Sequence, residues 1–292
     1  MIFAGWGIGE YSMDIGLVMH PTGYFVDIAE VAKEAELLGF ESIWVPEHTA
    51  IPIHAETKWH GSPEGNIPKE FSYIADPFIA LSRASAVTEK IKLGTAVCLV
   101  TQRHPLILAK EIATLDMYSN GRCIVGIGAG WLKEEMEIMG GDFSHRWTQA
   151  KENISVMKEV WTKSESEFHG YYHDIPPVYS FPKPVQKPYP PIFLGGRTLK
   201  ILSRVVQWGD GWLPIPSSPD EIEKGYQVLE QMCTEIGRDV SSIKITVDHI
   251  PLERTLIKQY ENAGASRAIV NFYSNPDDEP KNQLERIADL IL

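Results

Sequence analysis

Residues 91–127 read IKLGTAVCLVTQRHPLILAKEIATLDMYSNGRCIVGI. The stretch begins with a β-rich run at 91–98, continues with a helical pattern at 104–118 and ends in a second β-rich run at 122–127. A strand, a helix and a further strand in this order form a βαβ unit, in which the helix connects two parallel strands. The stretch therefore predicts a parallel sheet.

The same unit repeats along nearly the whole sequence. Eight β-rich runs lie at 14–18, 41–46, 91–98, 122–127, 191–195, 211–215, 242–247 and 267–272. Helical patterns follow them at 24–38, 76–88, 104–118, 145–162, 197–208, 219–236, 252–263 and 280–291. Eight units with no change of composition between them predict an α/β fold, a single (βα)8 TIM barrel spanning 1–292. Long loops follow the second and fourth strands, at 47–75 and 128–144, and loops of this length commonly bind ligands.

The composition argues against several classes of protein. The 292 residues include 27 Lys and Arg against 39 Asp and Glu, a net charge of −12 that repels nucleic-acid phosphates. No window approaches the ~18 consecutive apolar residues of a membrane span, and no basic flank precedes an apolar run at the N-terminus. Three widely spaced cysteines form no CxxC motif. We therefore expect a cytoplasmic protein that binds neither nucleic acid nor membranes.

The second strand ends directly before an ionisable pair, Glu47 and His48. Reacting groups of (βα)8 barrels come from the C-terminal ends of the strands, and a histidine there can move protons near neutral pH. The alternative is a histidine that only caps the strand end. A metal site would add His54 and His60, but spacings of six residues match no recurring ligand motif, so we predict no metal.

A glycine-rich segment, GIGAG at 126–130, ends the fourth strand. Small residues let backbone N–H groups approach a ring or a phosphate. The spacing is GxGxG rather than GxGxxG, so the segment is not a dinucleotide fingerprint. A tight turn beneath Trp131 is the structural alternative.

A second glycine pair, Gly195 and Gly196, is followed by Arg197 and a predicted helix. Backbone donors at a helix N-terminus and a fixed positive charge suit an anion, and late loops of barrels often bind phosphate. We predict a phosphate site here, against the alternative of a glycine turn with a surface arginine.

Four further polar residues are expected to be structural. His104 precedes Pro105 and is predicted to cap a helix. His169 and His173 lie in a predicted hairpin, and Asp210 is expected to fix a turn.

Three segments together resemble the bacterial luciferase-like oxidoreductase family, in particular its branch that uses the deazaflavin coenzyme F420. They are DPFIALSRASAVTEKIKLGTAVCLVTQRHPLILAKEIATLDMYSNGRCIVGIGAGWLKEEM at 76–136, KPVQKPYPPIFLGG at 183–196 and WGDGWLP at 208–214. The resemblance runs from about residue 13 to the C-terminus, so 1–12 are interpreted as a possible extension. It implies a (βα)8 barrel and a homodimer.

The resemblance also implies roles for individual residues. It places Glu47 and His48 beside the reactive ring, with His48 as the proton donor or acceptor. It places a bulge with a non-prolyl cis peptide at Ala96 and Val97, where it supports one face of the ring.

Four glycines and an arginine complete the implied cofactor site. Gly128 and Gly130 line the edge of the ring, and Gly195, Gly196 and Arg197 contact its phosphate end. Some deazaflavin dehydrogenases of the family have a catalytic glutamate where this chain has Trp131, a difference that suggests a more apolar acceptor.

The implied activity is hydride transfer between coenzyme F420 and an unknown small organic substrate. The alternative is an FMN-dependent monooxygenase of the same family. A non-catalytic flavin-binding protein and a metal-dependent barrel hydrolase are the remaining alternatives.

Overall fold

The computed structural model describes residues 13–24, 26–215, 217–273 and 278–292. The possible extension at 1–12 lies outside these residues. No helix of the described chain is both long enough and apolar enough to cross a membrane.

Eight positions around a closed barrel are filled by parallel strands. The strands of the described chain are β1 (Asp14–Val18), β2 (Ser42–Val45), β3 (Lys92–Thr95), β4 (Cys98–Leu99), β5 (Cys123–Gly128), β6 (Glu165–His169), β7 (Asp174–Tyr179), β8 (Ile192–Gly195), β9 (Gly211–Leu213), β10 (Lys244–Asp248) and β11 (Arg267–Asn271). The barrel runs in the order β1, β2, β3, β5, β8, β9, β10, β11, and β11 pairs with β1 to close it. The predicted TIM barrel is confirmed.

Helices connect consecutive barrel strands. They are α1 (Ile28–Leu38), α2 (Pro77–Ser85), α3 (Pro105–Tyr118), α4 (Lys133–Ile138), α5 (Arg146–Thr162), α6 (Leu199–Trp208), α7 (Pro219–Ile236), α8 (Arg254–Asn262) and α9 (Pro280–Ile291). The side chain of His104 caps α3 by accepting a hydrogen bond from the Leu106 N–H, as predicted. The first helix begins at Ile28 rather than at 24, because the Asp27 side chain caps it there.

The third barrel position differs from the prediction. The continuous strand expected at 91–98 is divided into β3 and β4 by Ala96 and Val97, which are joined by a cis peptide bond. Both parts pair with β5, so the position in the barrel is kept. The cis peptide lies where the family resemblance implied it, and that expectation is confirmed.

The two long loops contain more structure than the sequence predicted. The loop expected at 128–144 contains α4, and the loop at 47–75 contains a short 3-10 helix, Lys69–Tyr73. Strands β6 and β7 form the antiparallel hairpin expected around His169 and His173. Helix α4 was missed because six residues are too few to show a helical period.

The N-terminal end of the barrel carries structural interactions. The Arg267 side chain donates two hydrogen bonds to Glu41, over 2.7 and 2.6 Å, and lies over the ring of Trp44. The side chain of Asp210 accepts a hydrogen bond from the Ile192 N–H, so it joins the starts of β8 and β9 rather than closing a local turn. A cavity of about 560 Å³ opens at this end. Since barrel chemistry occurs at the other end, we look for the site at the C-terminal ends of the strands.

Candidate active site

His48 lies just beyond β2, with its side chain almost fully buried. Its Nδ1 is 2.9 Å from Oε2 of Glu135, which belongs to α4. An ionised carboxylate only accepts hydrogen bonds, so Nδ1 carries the proton and donates a hydrogen bond to Glu135. This arrangement fixes the tautomer of His48 and leaves Nε2 as the nitrogen that can give or take a proton.

Helix α4 holds the long loop after β2 through two adjacent glutamates. Glu135 also accepts hydrogen bonds from the backbone N–H groups of Thr49 and Ala50, over 2.8 and 3.2 Å. Glu134 accepts from the backbone N–H groups of Glu56 and Thr57, over 2.7 and 3.0 Å. The position of His48 therefore depends on α4 as well as on β2.

Glu47 lies in a different environment from His48. Its Oε1 accepts a hydrogen bond from Nε of Arg103 over 2.7 Å, and its Oε2 accepts from the Leu99 N–H over 2.6 Å. Arg103 also pairs with Asp76 and Glu111. Because both carboxylate oxygens are engaged in the barrel wall, these contacts favour a positioning role for Glu47 over proton transfer.

Aromatic side chains surround His48. The ring of Phe71 stacks on the imidazole, with 5.0 Å between centroids, and Trp131 meets it edge-on at 5.7 Å. Trp59 packs edge-on against Phe71 at 5.6 Å. These rings are half-buried, so the wall around His48 is largely apolar and partly open to solvent. This environment fits the apolar acceptor that Trp131 suggested.

A second group of imidazoles borders the same aromatic wall. His20, just beyond β1, lies 5.7 Å from the ring of Phe71. Burial and the neighbouring His249 lower the pKa of His20 below its usual value. His249 follows β10, and its Nδ1 is 2.7 Å from Oδ1 of Asp248. Burial opposes protonation of His249, but the Asp248 carboxylate outweighs it and raises the pKa of His249.

The cis peptide segment lies at the same end of the barrel, where two glycines approach Val97. Val97 is half-buried, and a Cβ on Gly128 would lie 2.7 Å from its Cγ2. A Cβ on Gly195 would lie 3.1 Å from Cγ1 of the same side chain. Glycine at both positions therefore lets the ends of β4, β5 and β8 approach one another closely, and neither position adds a side chain over Val97. We call Val97, Gly128 and Gly195 the valine–glycine bed.

The predicted phosphate site is brought together in part. The Gly196 N–H donates to the carbonyl of Leu213 in β9, so it is not available to an anion, and the expected role of this amide is wrong. Gly196 has a φ of 130°, which favours glycine. Arg197 and Lys200 are exposed at the start of α6, and the first turn of that helix has no acidic residue. The start of α6 thus remains suited to an anion.

Gly130 lies in the turn between the bed and Trp131, with a φ of 82°. The described residues contain no group of three or more His, Cys, Asp or Glu side chains arranged to hold a metal ion.

The sequence did not single out several residues of the site. Glu135 lies in the segment WLKEEM, but only the structure shows that it reaches His48, 87 positions earlier. His20 and His249 each follow a predicted strand, and that position was the available signal. For Arg103, the available signal was a positive charge shortly after the predicted strand at 91–98.

The closed barrel with ionisable side chains at its C-terminal end defines a (βα)8-barrel enzyme. Residues 11–284 match the family described as luciferase-like monooxygenase, and the chain belongs to that family. The chain is therefore an oxidoreductase of a family with F420-dependent and FMN-dependent members.

Three relatives illustrate the range of the family. An uncharacterised protein of Mycobacterium tuberculosis is 32% identical, over 94% of this chain and 98% of its own length. The F420-dependent glucose-6-phosphate dehydrogenase of Amycolatopsis mediterranei is 25% identical, over 76% of this chain and 65% of its own. The FMNH2-dependent dimethylsulfone monooxygenase of Pseudomonas putida is 34% identical, over 42% of this chain and 35% of its own.

Solved structures share the fold. The monooxygenase RslO1 from Streptomyces bottropensis has a TM-score of 0.79 at 18% identity, covering 95% of this chain and 98% of its own. The coenzyme F420-dependent tetrahydromethanopterin reductase from Methanopyrus kandleri has a TM-score of 0.74 at 19% identity, covering 96% and 98%. At these identities the likeness concerns the fold alone.

Proposed function

We propose that the protein transfers a hydride between coenzyme F420 and a small organic substrate that is largely apolar around its reacting carbon. The observation that carries the proposal is the valine–glycine bed, at the same end of the barrel as His48. A flat tricyclic ring needs a surface without projecting side chains, and Gly128 and Gly195 supply one around Val97. The F420-dependent relative supports the choice of cofactor.

The residues present fit a phosphorylated, ring-bearing cofactor at both of its ends. The ring would lie on the valine–glycine bed, with Ala96 and Gly130 beside it. Its phosphate would lie at the start of α6, where Arg197 and the N-terminal amides of the helix favour negative charge. The bound deazaflavin supplies the chemistry of a two-electron hydride carrier, and the protein supplies geometry and proton transfer.

His48 is the proton-transfer residue of this proposal. Glu135 holds the proton on Nδ1, so Nε2 exchanges a proton with the substrate atom next to the carbon that gains or loses the hydride. Phe71 and Trp131 shield the imidazole from bulk water on two sides. Glu47 acts indirectly, since its hydrogen bonds with Arg103 and the Leu99 N–H fix the end of β2.

A cofactor titration of the purified protein tests the proposal. We expect F420 to bind more tightly than FMN, and reduced F420 to be oxidised by an acceptor in the presence of the protein. Absence of binding by both cofactors would contradict the proposal.

A pair of glycine variants locates the ring. Gly128→Ala adds a Cβ that would lie 2.7 Å from Val97, so Val97 must move and cofactor affinity should fall by at least about tenfold, roughly 1.4 kcal/mol. Gly23→Ala is the matched control, because its added Cβ has no atom within 4 Å. Equal affinities of the two variants would place the ring elsewhere.

FMN-dependent monooxygenation is the second candidate function. It is favoured by the FMNH2-dependent relative, which matches 42% of this chain at a higher identity than the F420-dependent one. Tighter binding of FMN in the same titration would select it.

A cytoplasmic location and a homodimer are further parts of the proposal. The three cysteines are free and buried. Large apolar side chains are exposed on the neighbouring helices α2 and α3, namely Ile79, Ile107 and Tyr118, and a second copy would cover such surfaces. Sedimentation of the purified protein measures its assembly state.

A further inference from the structure

A buried carboxylate at the C-terminal end of β10 has no use in the proposed mechanism. Asp248 is 5% exposed, and its Oδ1 accepts no hydrogen bond from any described residue. Nδ1 of His249 lies 2.7 Å from this oxygen, an ion-pair contact without the alignment of a hydrogen bond. A buried carboxylate is stabilised by a neighbouring positive charge, and the His249 imidazole supplies one when it is protonated.

The backbone at this pair is unusual. His249 has a φ of 56°, a left-handed conformation that is uncommon for residues other than glycine. Such conformations are enriched at functional sites, where the surrounding structure fixes them. His249 also follows a barrel strand directly, which is the position of reacting and binding groups in this fold.

The pair lies near the site that contains His48, with His20 between them in electrostatic reach of both. Besides burial, the charges of His249 and His48 both lower the pKa of His20, and the His20 ring packs against Phe71. The His249 side chain is 32% exposed, whereas its Nδ1 is buried against Asp248. The remainder of the imidazole, including Nε2, is therefore the part that can meet a ligand.

The charges around His249 indicate the kind of ligand that fits. Asp248 cancels the charge of a protonated His249, Glu70 adds an exposed negative charge, and burial lowers the pKa of His20 and so disfavours its charged form. Burial and the nearby carboxylates also raise the pKa of Tyr273, which stays neutral. The local sum is not positive, so an anion gains little here. A protonated imidazole has only donors, so it selects a neutral molecule with an acceptor oxygen.

We propose that His249, backed by Asp248, is a specificity-determining residue that donates a hydrogen bond from Nε2 to the oxygen of a neutral carbonyl substrate. This inference rests on the proposed function, because it names the class of substrate for the same site. It adds a polar contact to a site whose aromatic wall is formed by Phe71 and Trp131.

The proposal predicts a preference that depends on pH. Below the raised pKa of His249 the imidazole is charged and donates through Nε2. As the pH rises through that pKa the ring loses a proton, the remaining one stays on Nδ1 toward Asp248, and Nε2 becomes an acceptor. The preference for an acceptor oxygen should therefore be present at lower pH and lost at higher pH.

The test uses 2-cyclohexen-1-one and cyclohexene, which differ by the carbonyl oxygen, and a second pair, acetophenone and ethylbenzene. Binding to the protein is followed by NMR of the histidine rings, with the oxidised cofactor present and with it absent. We expect the wild type to bind at least one ketone more tightly than its hydrocarbon. After correction for their different partitioning into octanol, the dissociation constants should differ by about tenfold or more, a ratio that corresponds to roughly 1.4 kcal/mol.

Two variants of His249 and one control variant test whether His249 causes the preference for ketones. His249→Leu should abolish it, and His249→Gln should keep part of it without the dependence on pH. His145→Leu is the matched control, since Nδ1 of His145 lies 2.8 Å from Asp142 in a similar but exposed pair. It should behave as the wild type.

Two results would overturn the inference. One is a wild type with no preference for either ketone, and the other is a His249→Leu variant that keeps the preference and its pH dependence. Failure of the proposed function is distinguishable, because it appears as absence of F420 and FMN binding in the wild type before any probe is added.

Discussion

Replacing Glu135 by glutamine changes one atom of the site and tests how His48 is oriented. In the variant, the amide oxygen can still accept from the backbone N–H groups of Thr49 and Ala50, which Glu135 binds over 2.8 and 3.2 Å. The amide nitrogen can only donate, so it requires an unprotonated Nδ1 on His48. The proton of the imidazole must then move to Nε2, the nitrogen proposed to face the substrate.

The size of the effect follows from the contacts that change. The variant loses a charge-assisted hydrogen bond between His48 and Glu135, which is worth ~1.5–3 kcal/mol and corresponds to roughly 10- to 150-fold in rate. The wrong tautomer adds to this loss, so we expect turnover to fall by ~10²-fold or more. The free energy of unfolding should fall by only about 1 kcal/mol, because the backbone N–H groups of Thr49 and Ala50 keep their acceptor.

Nitrogen-15 NMR of His48 reports the tautomer, and oxidation of reduced cofactor by a surrogate acceptor reports turnover. Glu134→Gln is the matched control, because Glu134 holds the same loop through two backbone N–H groups and no hydrogen bond joins it to His48 in the described chain. It should retain the wild-type tautomer and most of the activity. An unchanged tautomer and rate in Glu135→Gln would refute the role of Glu135.

Three further predictions concern other parts of the chain. Arg197→Ala should weaken cofactor binding roughly 10- to 100-fold without unfolding the barrel, and equal dissociation constants would reject the phosphate assignment. His48→Ala should lower turnover by ~10²-fold or more while cofactor binding is largely retained, and surviving turnover would assign the proton to another group. Burial opposes ionisation of Glu41, but Arg267 outweighs it and lowers the pKa of Glu41 from 4.5 to about 2. The stabilisation by this carboxylate is therefore complete above pH ~4.5 and is lost as the pH falls toward ~2, by roughly 3 kcal/mol in all. Urea unfolding of the wild type and of Glu41→Gln between these pH values checks it, and parallel curves would contradict it.

The fold could be predicted from the sequence because the barrel strands are buried at nearly all of their positions. Strand β2, for example, is buried at all four of its positions, so it reads as a short continuous apolar run. The eighth strand run, near 267–272, was placed within one residue of β11. The division of β3 from β4 could not be derived from periodicity, since Ala96 and Val97 continue the apolar run. Only the resemblance indicated it.

The site could be predicted less completely, because its contacts join distant parts of the chain. The position of His48 followed from the end of β2, but its partner Glu135 and its stacked neighbour Phe71 come from segments without a clear period. The glycine pair at 195–196 was assigned to an anion as a whole. The Gly196 N–H instead donates to the carbonyl of Leu213, because of the register between β8 and β9. Sequence spacing does not predict that register.

The segment from Gly128 to Glu135 connects the two halves of the proposed chemistry. It begins in the valine–glycine bed, passes through the turn at Gly130 and through Trp131, and ends at the carboxylate that holds His48. One segment of eight residues therefore links the proposed cofactor surface, the aromatic wall and the proposed proton-transfer residue. A displacement of the turn at the ring edge would move the start of α4, and with it the acceptor of the His48 proton. We therefore expect bound cofactor to restrict the motion of His48, although the two need not touch.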